Sequence, residues 1–354
     1  MRRTRLNFIL TVQLILFLAH AVVFATWVSL AGPAPLGSIS KLAIAFALLS
    51  VSFVGSSLLA FRYYNIFVRT LYTLAGIWLG ILNFVFLGSL AAWIVYAGVR
   101  IARINWPSRT IVAAIFSIAI VVSLYGTANA FFLRVRRVDI SLPNLPAAWC
   151  GRTAALVSDT HLGPVRGAGF TKKIVTRLNQ LNPDVVFITG DFYDGTAADV
   201  LAFATPLSNL RARFGAFFVT GNHEEFSIPQ QYVDALSRAR VRVLQNENVN
   251  VEGLQIVGIP YHQMGRPENF SDALRNTGID PASASILLIH APNRLWEAEK
   301  AGISLQLSGH THRGQFFPWT LAVKRIYKQF GYGLHTLGNM QVYTTSGAGT
   351  WGPP

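Results

Sequence analysis

The first 138 residues hold twelve Lys or Arg and not one Asp or Glu, and four long apolar runs fill them: Phe8–Leu30, Leu42–Phe61, Leu71–Val99 and Ile111–Phe132. Each run reaches the roughly 20 residues that a helix needs to cross about 30 Å of hydrocarbon. The third is long enough to tilt or to lay its ends in the headgroup region. Ala19-His20-Ala21 has the A-x-A spacing of a signal-peptide cleavage site, but it lies inside the first run and three more runs follow. Arg2-Arg3 reads as the basic flank of a first helix rather than a twin-arginine address. The expectation is four transmembrane helices, none removed.

All sixteen acids lie from Asp139 onward, beside eighteen Lys or Arg, so the net charge of +14 divides into +12 and +2. That break gives two expected domains, a four-span transmembrane region over 1–137 and a soluble catalytic domain over 138–354. Lys and Arg concentrate on the cytoplasmic side of spans. Arg2, Arg3, Arg5, Arg62, Arg69, Arg134, Arg136 and Arg137 fall on one side, against Lys41, Arg100, Arg103 and Arg109 on the other. The count places the N-terminus and the catalytic domain in the cytoplasm of a multi-pass protein of the cell (inner) membrane, with the Arg100–Arg109 loop discordant. Ion pathways put ionisable groups within the bilayer. His20 is the one such group here, beside the amides of Gln13, Asn83 and Asn129. The spans therefore read as an anchor, or a lateral gate for a lipid, rather than a transporter. Cys150 is the single cysteine and has no internal partner for a disulfide.

Beyond the last run, Val138, Ile140 and Leu142 alternate with Arg137, Asp139 and Ser141, a strand pattern closed by prolines. The arginines at 134–137 suit anionic headgroups. Then short apolar runs alternate with helical stripes. "TAALVSDTH" precedes a helix over Phe170–Leu181, "DVVFITGD" one from about Asp199 to Leu210, and "GAFFVTGNHE" one from about Pro229 to Arg240. Short strands follow at Val241–Leu244 and Leu254–Ile259. "SILLIH" precedes a short helix at Arg294–Lys300, and "ISLQLSGHTH" closes the series. Continuous apolar strands alternating with helices define a layered α/β domain, in which ligands gather at the carboxyl ends of strands.

Five of these strands end in Asp159-Thr160-His161, Gly190-Asp191, Gly221-Asn222-His223-Glu224, His290 and His310-Thr311-His312. Five of the domain's seven histidines are thus spent on one edge. Alone, each motif is an ordinary turn: Gly190-Asp191 and Gly221-Asn222 are common turn pairs, and Asp159 suits a helix cap. Together they supply carboxylate, imidazole and amide donors, a mixture that suits manganese, iron or zinc rather than calcium or magnesium. Seven residues give eight donor positions when one carboxylate is shared, enough for two divalent ions some 4 Å apart. Strand-end Asp191 is the natural bridge. Such a pair acidifies a water and clamps the oxygens of an in-line displacement at phosphorus.

The order D-x-H, G-D-x-x-D, G-N-H-[DE], H, G-H-x-H, present as "DTH", "GDFYD", "GNHE", "LLIHAP" and "GHTH", resembles the calcineurin-like metallophosphoesterases over about residues 150–350. The fold this implies is the layered αββα sandwich of that superfamily, here preceded by the all-α membrane region. The sequence is similar in particular to a bacterial membrane-associated phosphodiesterase branch, through "SGHTHRGQ" and the closing segment Ser346–Thr350. Some members of that branch cleave lipid-linked pyrophosphates such as UDP-diacylglucosamine. The resemblance implies that Asp159, His161, Asp191 and His312 hold one metal, and Asp191, Asn222, His290 and His310 the other. It also implies that His223 stabilises the phosphoryl oxygens or protonates the leaving group. Asp194 would then accept a hydrogen bond from His223 and fix its tautomer.

Arg313 stands where the branch has glycine, and is expected either to contact substrate phosphate or to lie in solvent. His262 and His335 read as surface or packing residues, and Glu224 and Glu225 as solvated or supporting ones. Relatives continue past the position of Pro354 into one more strand, so an edge strand is expected to be missing. The expected activity is hydrolysis of a phosphodiester or pyrophosphate, with a lipid or lipid-linked nucleotide as substrate and the bilayer as partner. A metal-holding sensor or scaffold without turnover is the alternative from another class. A nucleic-acid phosphodiesterase is disfavoured because the soluble part has no long basic run.

Overall fold

A computed structural model describes residues 2–33, 35–225 and 229–353, without the side chains of 2–5 and 229. The basic side chains of Arg2, Arg3 and Arg5, and the chain end at Pro354, lie outside the described residues. The chain divides into two compact units, one holding the residues up to Phe132 and one spanning Leu133–Trp351.

Four helices make the first unit: α1 (Arg2–Leu30), α2 (Leu36–Ala60), α3 (Ile66–Ile101) and α4 (Ser108–Asn129). All four are long and apolar enough to cross a membrane. At 1.5 Å per residue α3 is about 54 Å long, well beyond the hydrocarbon thickness. Asn65 caps it by accepting from the Val68 amide at 3.0 Å. Polar side chains inside the bundle pair across helices: Trp78 Nε1 donates to His20 Nε2 at 2.8 Å, Trp93 Nε1 to Thr26 Oγ1 at 3.0 Å, and Gln13 Nε2 to the Ser50 carbonyl at 3.0 Å. Since His20 Nε2 accepts, its proton is on Nδ1, which donates to the Leu16 carbonyl at 2.7 Å. Both ring nitrogens are satisfied, which is the arrangement of a structural histidine.

The second unit packs two sheets face to face. In one, β1 (Ala154–Val157), β2 (Val185–Thr189), β3 (Ala216–Val219) and β4 (Val241–Val243) run parallel in the order β1-β2-β3-β4. In the other, β5 (Glu247–Val251), β6 (Leu254–Gly258), β7 (Ser285–Leu288), β8 (Leu305–Ser308), β9 (Gly333–Leu337) and β10 (Met340–Thr344) take the order β5-β6-β7-β8-β10-β9, with antiparallel hairpins at both edges. Because strand side chains alternate, each strand feeds two layers. Val185, Phe187, Phe217 and Val219 meet Leu254, Ile256, Ile286, Leu288, Leu305 and Leu307 between the sheets. The opposite faces of β6, β7 and β10 (Val257, Leu287, Val342) bury Phe270, Leu274 and Ala298 of α9 (Pro267–Asn276) and α10 (Leu295–Lys300). On the outside of the first sheet, α5 (Ala168–Leu181) buries Ile174, Val175 and Leu178. Helices thus cover both outer faces, giving the αββα sandwich. The short helices α6 (Val200–Ala204), α7 (Asn222–Glu225), α8 (Pro229–Arg238) and α11 (Trp319–Tyr327) complete the unit.

Three local expectations need correction. Residues 137–142 form no ladder, although Ile140 and Leu142 do pack on the inter-sheet core; alternation reports which side chains are buried, not where the backbone bonds go. The helix expected over 199–210 ends at Ala204 and continues only as a 3₁₀ turn over Thr205–Asn209, since Pro206 lacks the amide that a regular helix needs. The segments α9, α11, β5, β9 and β10 also fall where no element was read.

Candidate metal centre

The carboxyl ends of β1, β2, β3, β7 and β8 open on one edge, and the chain turns there by an unusual backbone route. Asp159, His161, Asp191, His310 and His312 have φ of 53°, 46°, 49°, 69° and 47°. For residues with a Cβ this left-handed region costs about 1–2 kcal/mol each, so the edge is held in place by what surrounds it. Beyond the ladder, the Asp159, His161 and Leu162 amides donate to the carbonyls of Gly190, Asp191 and Phe192 at 2.9–3.1 Å. The closing segment lies across the same turn: Ala348 and Gly349 donate to the carbonyls of Ser158 and Asp159, both at 2.8 Å.

The turn places all seven expected ligands together. Asp159, His161 and His312 offer atoms within 4.8 Å of one another, and so do Asp191, His290 and His310. His161 Nε2 is 3.0 Å from His312 Nε2, and His312 Nε2 is 3.5 Å from Asp159 Oδ1. In the second group His290 Nε2 stands 3.1 Å from Asp191 Oδ2, from Asn222 Oδ1 and from His310 Nδ1. Asp191 Oδ2 also lies 3.8 Å from His161 Nε2, so one carboxylate oxygen faces both groups. Ligand atoms about 2.1 Å from a common ion stand about 3.0–3.4 Å apart; the second group has that spacing at 3.1 Å, and the first is looser at 3.0–4.0 Å. Burial lowers the pKa of His161, His310 and His312, that of His310 to about 3, leaving neutral rings that need lose no proton to bind a cation. Burial would also lower His290, but Asp191, Asp159 and the Thr189 carbonyl together outweigh it and raise the ring to about 10, so that Nε2 gives up a proton when it takes a cation. Burial would raise Asp191, yet His290 holds it well below the usual carboxylate range. His290 Nδ1 donates to the Thr189 carbonyl at 2.7 Å, fixing the tautomer that turns Nε2 inward. The donor set fits divalent ions.

His223 sits at the rim with Nε2 4.0 Å from Asp191 Oδ2. Its partner differs from the expected one in the atom used: His223 Nδ1 donates to the backbone carbonyl of Asp194 at 2.8 Å, not to its carboxylate. The Asp194 carboxylate instead lies 3.5 Å from His161 Nδ1. Burial pushes its pKa up to about 7, against the pull of His223. Arg313 is exposed and adopts φ 52°, with its guanidinium 4.6 Å above the Tyr332 ring. Glycine would adopt this left-handed backbone freely; the arginine instead stacks on Tyr332. His262 is a surface residue bonded to Glu225 Oε1 through both its amide (3.0 Å) and Nδ1 (3.1 Å), and His335 Nε2 bonds the Tyr332 carbonyl.

Glu224 is the residue that reading by motif undervalues. It is fully buried, and its carboxylate accepts from the amides of Asp191 (2.9 Å), Tyr193 (2.9 Å) and Gly221 (2.7 Å). It therefore ties the β2 turn to the β3 turn. Burial, then Asp191, raises its pKa to about 8. Its place in "GNHE" was a signal, but three amides from two loops meet only in the fold. Arg166 is a second omission: it is buried, donates to Thr350 Oγ1 at 2.7 Å, and is electrostatically coupled to Asp194. Around the site, Tyr261 flanks His290 and His310, Tyr327 flanks His310, and Trp351 flanks His223, with ring centroids 5.8–6.3 Å apart.

Gly221 shows how tight the turn is. A Cβ there would overlap the Asp191 carboxylate and amide. Gly221→Ala is expected to lower stability by about 1–3 kcal/mol, the usual cost of overpacking, and to reduce bound metal. Thermal unfolding and elemental analysis on the same preparation would check both.

Residues 153–314 match the calcineurin-like phosphoesterase family, and the chain belongs to it. An uncharacterised metallophosphoesterase of Aquifex aeolicus is 30% identical over 67% of this chain and 92% of its own length. The "Transmembrane protein with metallophosphoesterase domain" of Danio rerio is 32% identical over 70% of this chain, and an uncharacterised metallophosphoesterase of Campylobacter jejuni is 32% identical over 62%. The match spans 59% of the length of each of these last two. The crystal structure of Pseudomonas putida nuclease MPE aligns over 46% of this chain and 62% of its own at 20% identity, with a TM-score of 0.24, too low to carry an argument. Membership in this family, whose members use divalent metals, suggests a phosphoric ester hydrolase.

Proposed function

We propose that the chain is a membrane-anchored, dinuclear metal phosphoesterase that hydrolyses a phosphodiester or pyrophosphate, with a lipid or lipid-linked nucleotide as its substrate class. The catalytic unit is residues 138–354, carried on a four-span region over 1–137. The observation that carries the reading is Asp191 Oδ2, which faces His161 in one donor group and His290 in the other at 3.8 and 3.1 Å. Among the side chains present, only a carboxylate can serve two cations while offsetting their repulsion.

In this reading Asp159, His161, Asp191 and His312 hold one ion, and Asp191, Asn222, His290 and His310 the other. When bound, such a pair supplies Lewis-acid polarisation at phosphorus and lowers the pKa of an attacking water. Glu224 holds the Asp191 and Gly221 amides and so sets the bridge. His223, held by the Asp194 carbonyl through Nδ1–H, turns Nε2 inward; as the imidazolium it would give the Nε2 proton to the leaving oxygen and remain as the neutral Nδ1–H ring. Arg313 lies beside ligand His312 and contacts substrate phosphate only by leaving Tyr332. The eight-to-four excess of basic flanks supports a cell-membrane protein with its catalytic unit in the cytoplasm. Confinement at a bilayer favours an amphiphilic substrate over nucleic acid.

The test is direct. Detergent-solubilised full-length chain, loaded with manganese, iron or zinc, is expected to hold two ions per chain and to cleave an aryl phosphodiester. A chelator should abolish that turnover. Well-folded protein that binds two ions without cleaving aryl esters, cyclic nucleotides or lipid pyrophosphates would favour the sensor or scaffold instead.

A further inference from the structure

The segment that follows the last metal motif has features that the centre does not use. Helix α11 contains no buried residue, whereas α5 and α9 each bury an apolar face. Nine-residue helices are marginal in water and depend on packing for their stability. Three large apolar side chains of α11 lie in the open: Trp319, Leu321 and Ile326 are 56%, 57% and 69% exposed. Scattered exposed apolar residues are normal, but three within eight residues form a patch.

The charge around the patch is of one sign. After Glu299 the sequence contains no further acid, while Arg313, Lys324, Arg325 and Lys328 lie within or beside the segment. Lys324, Arg325 and Lys328 are exposed. Arg136 adds a cation nearby, donating to the Tyr332 hydroxyl at 3.0 Å with its guanidinium 5.4 Å from the ring centroid. Tryptophan with Leu and Ile, ringed by Lys and Arg, is the composition of a helix lying in the headgroup region of an anionic bilayer. A protein partner would more often be met by charges of both signs. The chain itself ensures that a bilayer is close, because Leu133 follows the last apolar helix by only a few residues.

We propose that α11 is an interfacial helix that docks the soluble unit on an anionic lipid surface, inserting Trp319, Leu321 and Ile326 while Lys324, Arg325 and Lys328 meet lipid phosphates. The inner side of the same helix presents Tyr327 to His310, with ring centroids 6.3 Å apart. Docking therefore sets the rim of the metal centre at the headgroup level. That consequence for a lipid-linked substrate rests on the function proposed above; the docking itself does not.

The test uses the full chain in nanodiscs, with the exposed Cys150 replaced by serine and a nitroxide attached at Leu321→Cys or Ile326→Cys. Leu201→Cys, an exposed apolar position on α6, is the control. In discs rich in phosphatidylglycerol, the α11 labels should collide with oxygen at least three-fold more, and with a water-soluble nickel chelate at least three-fold less, than the control label. In pure phosphatidylcholine, or with Lys324→Gln and Arg325→Gln, the difference should shrink at least two-fold. Nickel access equal to that at Leu201 overturns the proposal, as does equal protection in both lipids. Dipolar broadening confined to discs holding two chains would mean that a second copy covers the face, and overturns it too. An unchanged unfolding midpoint shows that each label leaves the fold intact, and two label sites guard against a local artefact.

Discussion

Asp191→Asn should reduce hydrolysis of an aryl phosphodiester by at least a thousand-fold and lower bound metal from two ions per chain to one or none. Asparagine is the informative variant because Asp191 has φ 49°, and asparagine tolerates that conformation better than alanine does. The backbone contacts then survive: the 191 amide still donates to Glu224, and the His223 amide still has the side-chain oxygen Oδ1 to donate to. What is lost is one negative charge and the second oxygen. Two dications at the spacing typical of such centres repel by on the order of 15 kcal/mol at an effective dielectric near 20. No amide can offset that. Elemental analysis and steady-state turnover on the same preparation measure both effects, with circular dichroism to verify folding. Two ions retained, or turnover retained, would remove the shared-carboxylate assignment.

How much of this was legible beforehand depends on whether a residue acts through its own side chain or through a contact made by the fold. The apolar runs and the strands ending at Asp159, Asp191, Asn222, His290 and His310 follow from hydropathy and motif order, since strand ends in a layered α/β domain share an edge. Glu224 was not legible, because its role is to collect amides from Asp191, Tyr193 and Gly221, residues that meet only when β2 pairs with β3. The Asp194–His223 contact was legible as a pair but not as an atom, since a motif names residues and does not distinguish a carboxylate from a carbonyl. Two omissions did carry signals. Gly338-Asn339 is a two-residue turn, and Leu337 pairs with Met340 across it. Pro267 at the start of α9, followed by the stripe Phe270, Ala273 and Leu274, is a helix signature. Strand β5, "ENVNV", carried little signal, because an edge strand with one wet face needs few apolar residues.

His223→Ala should slow turnover by roughly 10²–10⁴, the usual contribution of a positioned acid or base, while the metal content stays that of the parent chain. His223 differs from the ligands in its setting: its ring meets Trp351 at the rim, while its Nδ1 is held by the Asp194 carbonyl. A proton donor to the leaving oxygen has a further signature. The loss should be greatest for a substrate with an alkyl leaving group, which cannot depart unprotonated, and smallest for a nitrophenyl ester, whose leaving group is already stable as an anion. A ligand lost from the centre would instead slow both substrates alike and lower the metal count. Equal slowing with metal intact would leave His223 as a stabiliser of the phosphoryl oxygens rather than an acid, because that charge develops whichever group departs.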